Sequence, residues 1–428
     1  MKNILLISHN FLPEPTGIGK YNGEMIAWLA SHGYTCTVVT TFPYYPQWKV
    51  QAPYDKQWWW YKKEVIDFDG NKVTVYRCPS YTPADPTGKK RMIQDVSFWT
   101  SKIWQVFKLI LLKKRFDLIL TVAPPFHLAY LGLMVRKLTG GKLVYHIQDL
   151  QIEAAQELNL LSNQNLFNRL YKIEKQILDN ADFVSSISDG MIKKIEEKID
   201  KKVLFFPNWA DTSFFKPLNN RAELKTNWGF KPTDTVYLYS GAIGEKQGLE
   251  NIIFAAENLK HINDIKFVIC GSGPYKGNLV QLANDKSLNN IVFMPVQDKA
   301  VFNEFLNMAD FHLVLQKANA GDLVMPSKLT TILAVGGVCI VTAENGTSLA
   351  EVVNKHDLGY CIPPEDCDSL TVVIKNAKDD LDAADKKRDN ARRYATAYLN
   401  IDQIMQSFIN SVSVYNGDTE LIKTKALL

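Results

Sequence analysis

"NILLISHNFLPEPTGIGKYNGEM", residues 3–25, decides how the rest of the chain is read. Its opening apolar run has the length and branched side chains of a strand, and a glycine-bearing segment follows, as in a nucleotide-binding α/β unit. The spacing is unusual. In a dinucleotide fold the glycine turn follows the strand directly, because it brings a helix N-terminus onto a pyrophosphate. Here Gly17 and Gly19 arrive roughly eight residues late. A glycine loop held that far beyond its strand is expected to reach across a gap toward a ligand carried by another part of the protein.

The same rhythm of short apolar runs and helix-length amphipathic segments continues along the chain, which predicts α/β architecture with parallel sheets wrapped by helices. In the first half the strands are "NILLIS", "TCTVVTTF", "VTVYRC", "DLILTVA", "KLVYHIQ" and "FVSSIS"; in the second they are "VYLYSG", "KFVICGSG", "IVFMPV", "FHLVLQ", "GVCIVTA" and "GYCIP". Each set suffices for one doubly wound, Rossmann-like domain. Between them lies "FFPNWADTSFFKPL", a polar turn flanked by prolines and aromatics. The expected division is an N-terminal domain over residues 1–205, a linker over 206–218, a second domain over 219–395, and a last helix within 396–428 that crosses back onto the first domain before an aperiodic tail. Two such domains leave a cleft between the carboxyl ends of their sheets, where ligands of this architecture bind.

With 428 residues, 46% hydrophobic and 22% charged, the chain is globular and long enough for two domains. A formal charge of +4, with dispersed Lys and Arg, does not call for nucleic acid. Cys36, Cys78, Cys270, Cys339, Cys361 and Cys367 form no CxxC pair, and several sit inside apolar runs, so they read as buried free thiols in a reducing compartment. No run reaches the roughly 18 apolar residues of a membrane span, and "MKNILLIS" is too short for a signal peptide, so a cytoplasmic protein is expected.

"PEPTGIGKY", "FPNWADTSFFKP", "YSGAIGEKQGLENIIFAAENL", "FVICGSGP" and "MPSKLTTILAVGGVCIVT", in this order and spacing, resemble the retaining GT-B glycosyltransferases, family 4. "YHIQDLQIE" and "GEKQGLE" are most similar to the branch of bacterial surface-polysaccharide enzymes that includes colanic acid and O-antigen fucosyl and fucosaminyl transferases. The resemblance implies two facing domains, an acceptor domain first and a nucleotide-sugar domain second. It implies transfer without metal or cofactor from a nucleotide sugar, UDP-linked on family grounds, to a lipid-linked saccharide such as a polyprenyl-diphosphate carrier, for capsule or O-antigen assembly.

On this resemblance Lys246, in the loop after "VYLYSG", is the family lysine that grips the diphosphate. "MPSKL" places Ser327 and Lys328 at a helix start, where backbone N–H groups favour anions, although simple capping by Ser327 accounts for the serine equally. Gly17, Gly19, Gly241, Val296 and Thr331 complete the expected donor contacts. Two departures stand out. Ala242 occupies the place of a family Arg, and the family's glutamate pair is missing, with Thr331 at the second position and Asp322 close to the first. In the first domain Ala123 and two prolines replace a family His, and His127 follows a few residues later. Asp149, where a strand ends at the cleft, is expected to accept or orient the acceptor's proton, with an N-cap role equally open; Glu153 is a second candidate.

Other signals fit differently. "DFD" at residues 67–69 imitates a metal-binding DxD but reads as an Asp-Gly hairpin, and Asp366 and Asp368 read as a helix start, so no metal site is expected. Gly17-x-Gly19-xxx-Gly23 and Gly271-x-Gly273-xxx-Gly277 approximate dinucleotide fingerprints and keep a nucleotide-sugar epimerase or NAD-dependent sugar dehydrogenase as the alternative. A silent sugar binder would have no use for Lys246 and the "PSK" helix. Finally, residues 42–63 concentrate aromatics, and Met92, Val96, Trp99, Ile103, Phe107 and Ile110 recur at helical spacing between basic clusters. This pattern fits a core helix, and equally an interfacial one that would put the enzyme on the inner face of the cell membrane.

Overall fold

The computed structural model describes residues 2–14, 17–45, 47–84, 88–157, 164–318 and 325–413. Among these residues the chain forms two open sheets. The first contains β1 (Asn3–Ile7), β2 (Thr35–Thr41), β3 (Lys62–Phe68), β4 (Asn71–Cys78), β5 (Leu118–Ala123), β6 (Lys142–Ile147), β7 (Phe183–Ser186) and β8 (Val203–Phe205). Its helices are α1 (Gly17–Ser31), α2 (Gly88–Leu111), α3 (Ala129–Thr139), α4 (Gln151–Glu157), α5 (Gln164–Asn180) and α6 (Asp189–Glu196). The spatial order is β3-β4-β2-β1-β5-β6-β7-β8, parallel throughout except that β3 is antiparallel to β4. The "DFD" segment is therefore a hairpin, its turn closed by the Gly70 N–H donating to the Asp67 carboxylate at 2.6 Å.

The second sheet contains β9 (Thr235–Ser240), β10 (Ile265–Cys270), β11 (Ile291–Met294), β12 (Phe311–Val314), β13 (Val338–Thr342) and β14 (Gly359–Ile362). It is flanked by α7 (Arg221–Asn227), α8 (Glu250–Asn258), α9 (Lys276–Asp285), α10 (Lys299–Asn307), α11 (Lys328–Ala334), α12 (Ser348–Lys355), α13 (Cys367–Asp379) and α14 (Leu381–Tyr398). The order β11-β10-β9-β12-β13-β14 is the doubly wound arrangement. Asp366 caps α13, accepting from the Ser369 N–H at 2.9 Å. Because both sheets carry helices on both faces, their central strands are buried on two sides, which is why they read as continuous apolar runs.

The segment between the sheets has no regular helix or strand, yet Phe206, Trp209 and Phe215 are buried. Trp209 donates through its indole N–H to Glu24 at 2.8 Å, and the Ala210 N–H donates to the Leu399 carbonyl at 2.9 Å. A last helix, α15 (Ile401–Ser413), lies against α1 of the first sheet. Its Met405, Phe408, Ile409 and Val412 enter the same core as Trp28 and Leu29, Phe408 stacks on Phe206 with ring centres 4.0 Å apart, and the Trp28 indole donates to Asp402 at 2.7 Å. Residues 414–428 lie outside the described set.

The α2 helix corrects the sequence reading of its faces. Its buried side runs through Gln94, Phe98, Lys102, Val106 and Leu109, whereas Val96 and Phe107 point outward and Trp99, Ile103 and Ile110 lie at the boundary. The Met92 side chain lies outside the described set. The aromatic segment before it divides as well: Phe42 and Tyr44 are core, and Trp58, Trp59 and Trp60 are exposed.

The docking of α15 is testable through Phe408. Its truncation to alanine should cost about 3–5 kcal/mol of unfolding free energy, the usual loss for a buried phenylalanine. Urea denaturation checks this, and a loss under about 1 kcal/mol would mean that α15 is not part of the core.

Candidate active site

In each sheet the strand order reverses once, between β1 and β5 and between β9 and β12, and ligands of open parallel sheets bind outside the carboxyl ends at such points. In the second sheet the loops leaving β9 and β10 are sewn together there. The Gly241 N–H donates to Cys270 at 3.0 Å, the Ile243 N–H to Ser272 at 2.9 Å, and the Tyr275 N–H to Ile243 at 3.2 Å. A Cβ on Gly271 would run into the Gly241 carbonyl oxygen, and one on Gly273 into that of Ile243. These glycines exist for loop-on-loop packing, so the second dinucleotide-like fingerprint loses its ligand reading.

Lys328 opens α11, which follows β12, and sends its side chain under the β9 loop. Its Nζ lies 3.5 Å from the centre of the Tyr239 ring and would sit 3.0 Å from a Cβ at Gly241. The ammonium is out of contact with solvent and has neither a hydrogen bond nor a carboxylate among the described residues. Burial pushes it down to about 7. Gly241 thus contributes room, since its N–H is already given to Cys270. The Tyr239 hydroxyl donates to the Ala242 carbonyl at 2.6 Å, which fixes the loop where the family's Arg is absent.

Lys246 lies in the one-turn 3₁₀ helix Glu245–Gln247, later in the same loop after β9, and is exposed. Ser327 precedes α11 but makes no side-chain cap, so the capping account of it does not hold. Its carbonyl instead accepts the Thr330 hydroxyl at 2.9 Å. Thr331 is buried, and its hydroxyl donates back to the Lys328 carbonyl at 3.0 Å, so its own helix engages it. Val296 stands exposed just beyond β11, and Asp322 lies outside the described residues.

From the other half, α1 begins at Gly17, and its Tyr21 hydroxyl comes within 3.3 Å of the Thr330 hydroxyl and 3.5 Å of the Ser327 carbonyl. The first turns of α1 therefore meet α11 directly. Pro15 and Thr16 lie outside the described set. Gly17 has φ +60°, a conformation that favours glycine, with open space where a side chain would go. A Cβ on Gly19 would lie 2.7 Å from the Glu14 Cβ, so the room above Gly19 belongs to Glu14. That carboxylate accepts the Tyr44 and Tyr45 N–H groups, both at 2.9 Å, leaves Oε2 without a partner, and is pushed up to about 7 by burial.

Asp149 follows β6 and is separated from the first residue of α4 by Leu150. Though part of its surface is open, protein surrounds the carboxyl. Desolvation raises it to about 6, and Lys246 across the cleft pulls the other way. Glu153 has a different setting. It is ion-paired with Lys198, which also holds Glu174 at 2.7 Å. Lys198 follows the last turn of α6, so the Glu153 carboxylate is engaged from that helix.

A further polar cluster at this end was not picked out as a site from the sequence. His9, two residues after β1, is buried, stacks on Phe98 with ring centres 3.9 Å apart and meets the Tyr44 hydroxyl at 3.3 Å. Lys102 is fully buried, donates to the Ser8 carbonyl and lies 3.3 Å over the Phe98 ring; burial drives it well below its ordinary value. His127, lowered to about 4 by burial and by Lys102, lines a cavity of about 280 Å³ with Asp95, Val96, Trp99 and Tyr130. The available signal was a lysine four residues after Phe98 and four before Val106 on the buried side of an amphipathic helix. Among the described residues no group of His, Cys, Asp and Glu is placed to hold a metal ion, and all six cysteines are free.

Residues 16–209 match the family described as glycosyl transferase 4-like domain, and residues 220–397 match glycosyl transferases group 1. A protein of Escherichia coli K12 named as a colanic acid biosynthesis glycosyl transferase, WcaI, is 37% identical over 425 residues, covering 96% of this chain and 99% of its own. A Pseudomonas aeruginosa protein named as a glycosyltransferase, WbjE, is 23% identical over 64% of this chain and 70% of its own. Among solved structures, sucrose-phosphate synthase from Thermosynechococcus elongatus superposes with a TM-score of 0.76 at 17% identity, over 97% of this chain and 99% of that one. Anabaena HepE in complex with UDP and glucose superposes with a TM-score of 0.68 at 13% identity, over 97% and 100%. The two facing sheets are thus the two halves of a GT-B enzyme, and the chain belongs to the group 1, 4-like glycosyltransferases.

Proposed function

We propose that this protein is a retaining, metal-independent glycosyltransferase that moves a sugar from a UDP-linked donor to a polyprenyl-diphosphate-linked saccharide during assembly of a bacterial surface polysaccharide. The observation that carries the donor half of this reading is the Lys328 ammonium, buried without a partner among the described residues beside Gly241, with Lys246 later in the same loop and close enough to act on Asp149. A buried unpaired cation is costly, and a nucleoside diphosphate is the anion such a crevice suits. As the glycosidic bond breaks, the departing diphosphate gains charge, which Lys246 and Lys328 meet in place of a metal ion. Asp149, ionised at neutral pH, orients or accepts the proton of the attacking hydroxyl. Gly17 leaves open space at the start of α1, so the donor or acceptor can come close to its backbone there.

The relatives support the pathway class: one is named for colanic acid biosynthesis, and an Escherichia coli O-antigen chain mannosyltransferase C is 20% identical over 262 residues. HepE, of the same fold, was solved with UDP-glucose, which supports the choice of UDP. An NAD-dependent enzyme is disfavoured by the loop packing that consumes Gly271 and Gly273.

The direct test is transfer from a panel of nucleotide sugars in excess EDTA. Turnover should persist without metal or nicotinamide, and strict Mn²⁺ dependence would overturn the reading. Lys328→Met should remove a charge-assisted contact of about 1.5–3 kcal/mol, weakening UDP-sugar binding about 10- to 150-fold by calorimetry. Its melting temperature should hold or rise, because an unpaired buried charge is gone. A variant that binds donor normally would exclude Lys328 from the site.

The pH dependence of donor binding has a definite sign. Lys328 sits at about 7 in the free protein, and a bound diphosphate favours its charged form. Donor affinity should therefore fall as pH rises from about 7 toward 9, with proton uptake on binding in that range and little below pH ~6. Calorimetry in buffers of different ionisation enthalpy reads the uptake, which Lys328→Met should abolish.

A further inference from the structure

The outer side of α2 is apolar where a solvated helix would be polar. Ile93, Val96, Trp104, Phe107, Leu111 and Leu112 are exposed, with Trp104 at 60% and Leu111 at 64%, although the opposite side already packs in the core. Beside it, Trp59 and Trp60 are 62% and 70% exposed. The two features share one surface. Tyr61, adjoining Trp60, packs into the same core as α2 and donates its hydroxyl to the Ser101 carbonyl at 2.8 Å, one turn before Trp104. Exposed apolar groups scattered singly need no explanation, but this contiguous set of large side chains does.

Charge selects the partner. From Val96 to Phe116 the chain has no carboxylate, while Lys108, Lys113 and Arg115 are exposed and Lys114 is half-buried; Lys56 and Lys63 flank the tryptophans, with Asp55 the acid beside them. Tryptophans, leucines and a basic fringe on one face match the boundary of an anionic bilayer, where indoles sit at head-group depth and lysines reach the phosphates. No helix among the described residues is long and apolar enough to cross a membrane, so the arrangement is one for lying on it. The cavity between α2 and His127 opens beside Val96 on this side, and the buried side of α2 reaches the carboxyl end of β1, where Lys102 donates to the Ser8 carbonyl.

We infer that the outer face of α2 and the Trp58–Trp60 segment form a docking surface for an anionic lipid bilayer, which presents the cleft to a carrier embedded in that bilayer. The role of the carrier rests on the proposed function; the docking itself does not.

Co-sedimentation with vesicles of phosphatidylethanolamine and phosphatidylglycerol at 3:1, against phosphatidylcholine alone, tests it. The protein should bind the anionic vesicles with a blue-shifted tryptophan emission quenched by brominated lipid. Trp59→Ser with Trp60→Ser should lower partitioning at least tenfold, as should Leu111→Ser with Leu112→Ser, and Lys113→Glu with Lys114→Glu should remove the preference for phosphatidylglycerol. UDP-sugar affinity should be unchanged in all three, since none touches the crevice, and that control also certifies folding. Absence of vesicle binding by the unmodified protein, or binding that neither apolar variant weakens, overturns the inference. Vesicle binding with no sugar transfer from any nucleotide sugar would instead overturn the proposed function and leave the docking surface standing.

Discussion

Three carbonyl oxygens, of Thr212, Phe215 and Ala334, converge on the guanidinium of Arg392 at 2.7 to 3.0 Å, and the relative placement of the two halves depends on that junction. Thr212 and Phe215 belong to the connecting segment, Ala334 ends α11, and Arg392 lies on α14. A planar, permanently charged donor can hold several acceptors in a fixed geometry where a lysine would not. The connecting segment is thereby fastened to α11, while Trp209 fastens it to α1 through Glu24 and α15 covers both from the first sheet. The pieces that bring the halves together are thus the ones that hold α11, and α11 carries Lys328.

Within that frame the electrostatics of the crevice follow from burial. An ammonium without hydrogen bonds is costly in proportion to its desolvation, and the Tyr239 ring face below Lys328 offsets only a part of it. The site therefore holds a deficit that a ligand can relieve. Under the proposed function a diphosphate would relieve it, whereas a neutral sugar alone would not. The same desolvation raises Asp149, so burial moves the two groups in opposite directions, each toward its neutral form. Pairs of titratable groups whose surroundings push them in opposite directions mark places where proton and charge move together.

The strands and their division into two sheets were legible because parallel strands buried on both faces leave unmistakable apolar runs. β8, three residues long, left no such run, and the connecting segment concealed how deeply Trp209 is buried. The loop after β9 was also legible as a feature, since Lys246 and "PSK" lie beside glycines in the sequence, and Lys328 takes its place there beside Gly241. The polar cluster behind β1 was not. His9, Lys102 and His127 come from three separate segments that only the sheet order brings together, and no local spacing records that. The faces of α2 misled for a related reason: a helix that is apolar on two sides gives the same periodicity whichever side is buried.

The late arrival of the glycines after β1 has its explanation in Glu14. The loop from His9 onward places this carboxylate where it accepts the N–H groups of Tyr44 and Tyr45, which bolts the segment after β2 to the start of α1. Arg77, fully buried, holds the same loop through the Leu12 carbonyl at 2.7 Å and the end of β2 through Thr41 at 3.1 Å. Gly19 is required because any side chain there would displace Glu14, and Gly23 because one would displace Leu12. In a dinucleotide fold these residues would be spent on bringing the helix to a pyrophosphate in its own sheet. Here they are spent on fixing the helix so that Tyr21 can stand against Thr330 of the other half. The helix that begins at Gly17 is what meets the other half, and what it meets there is the helix that carries Lys328.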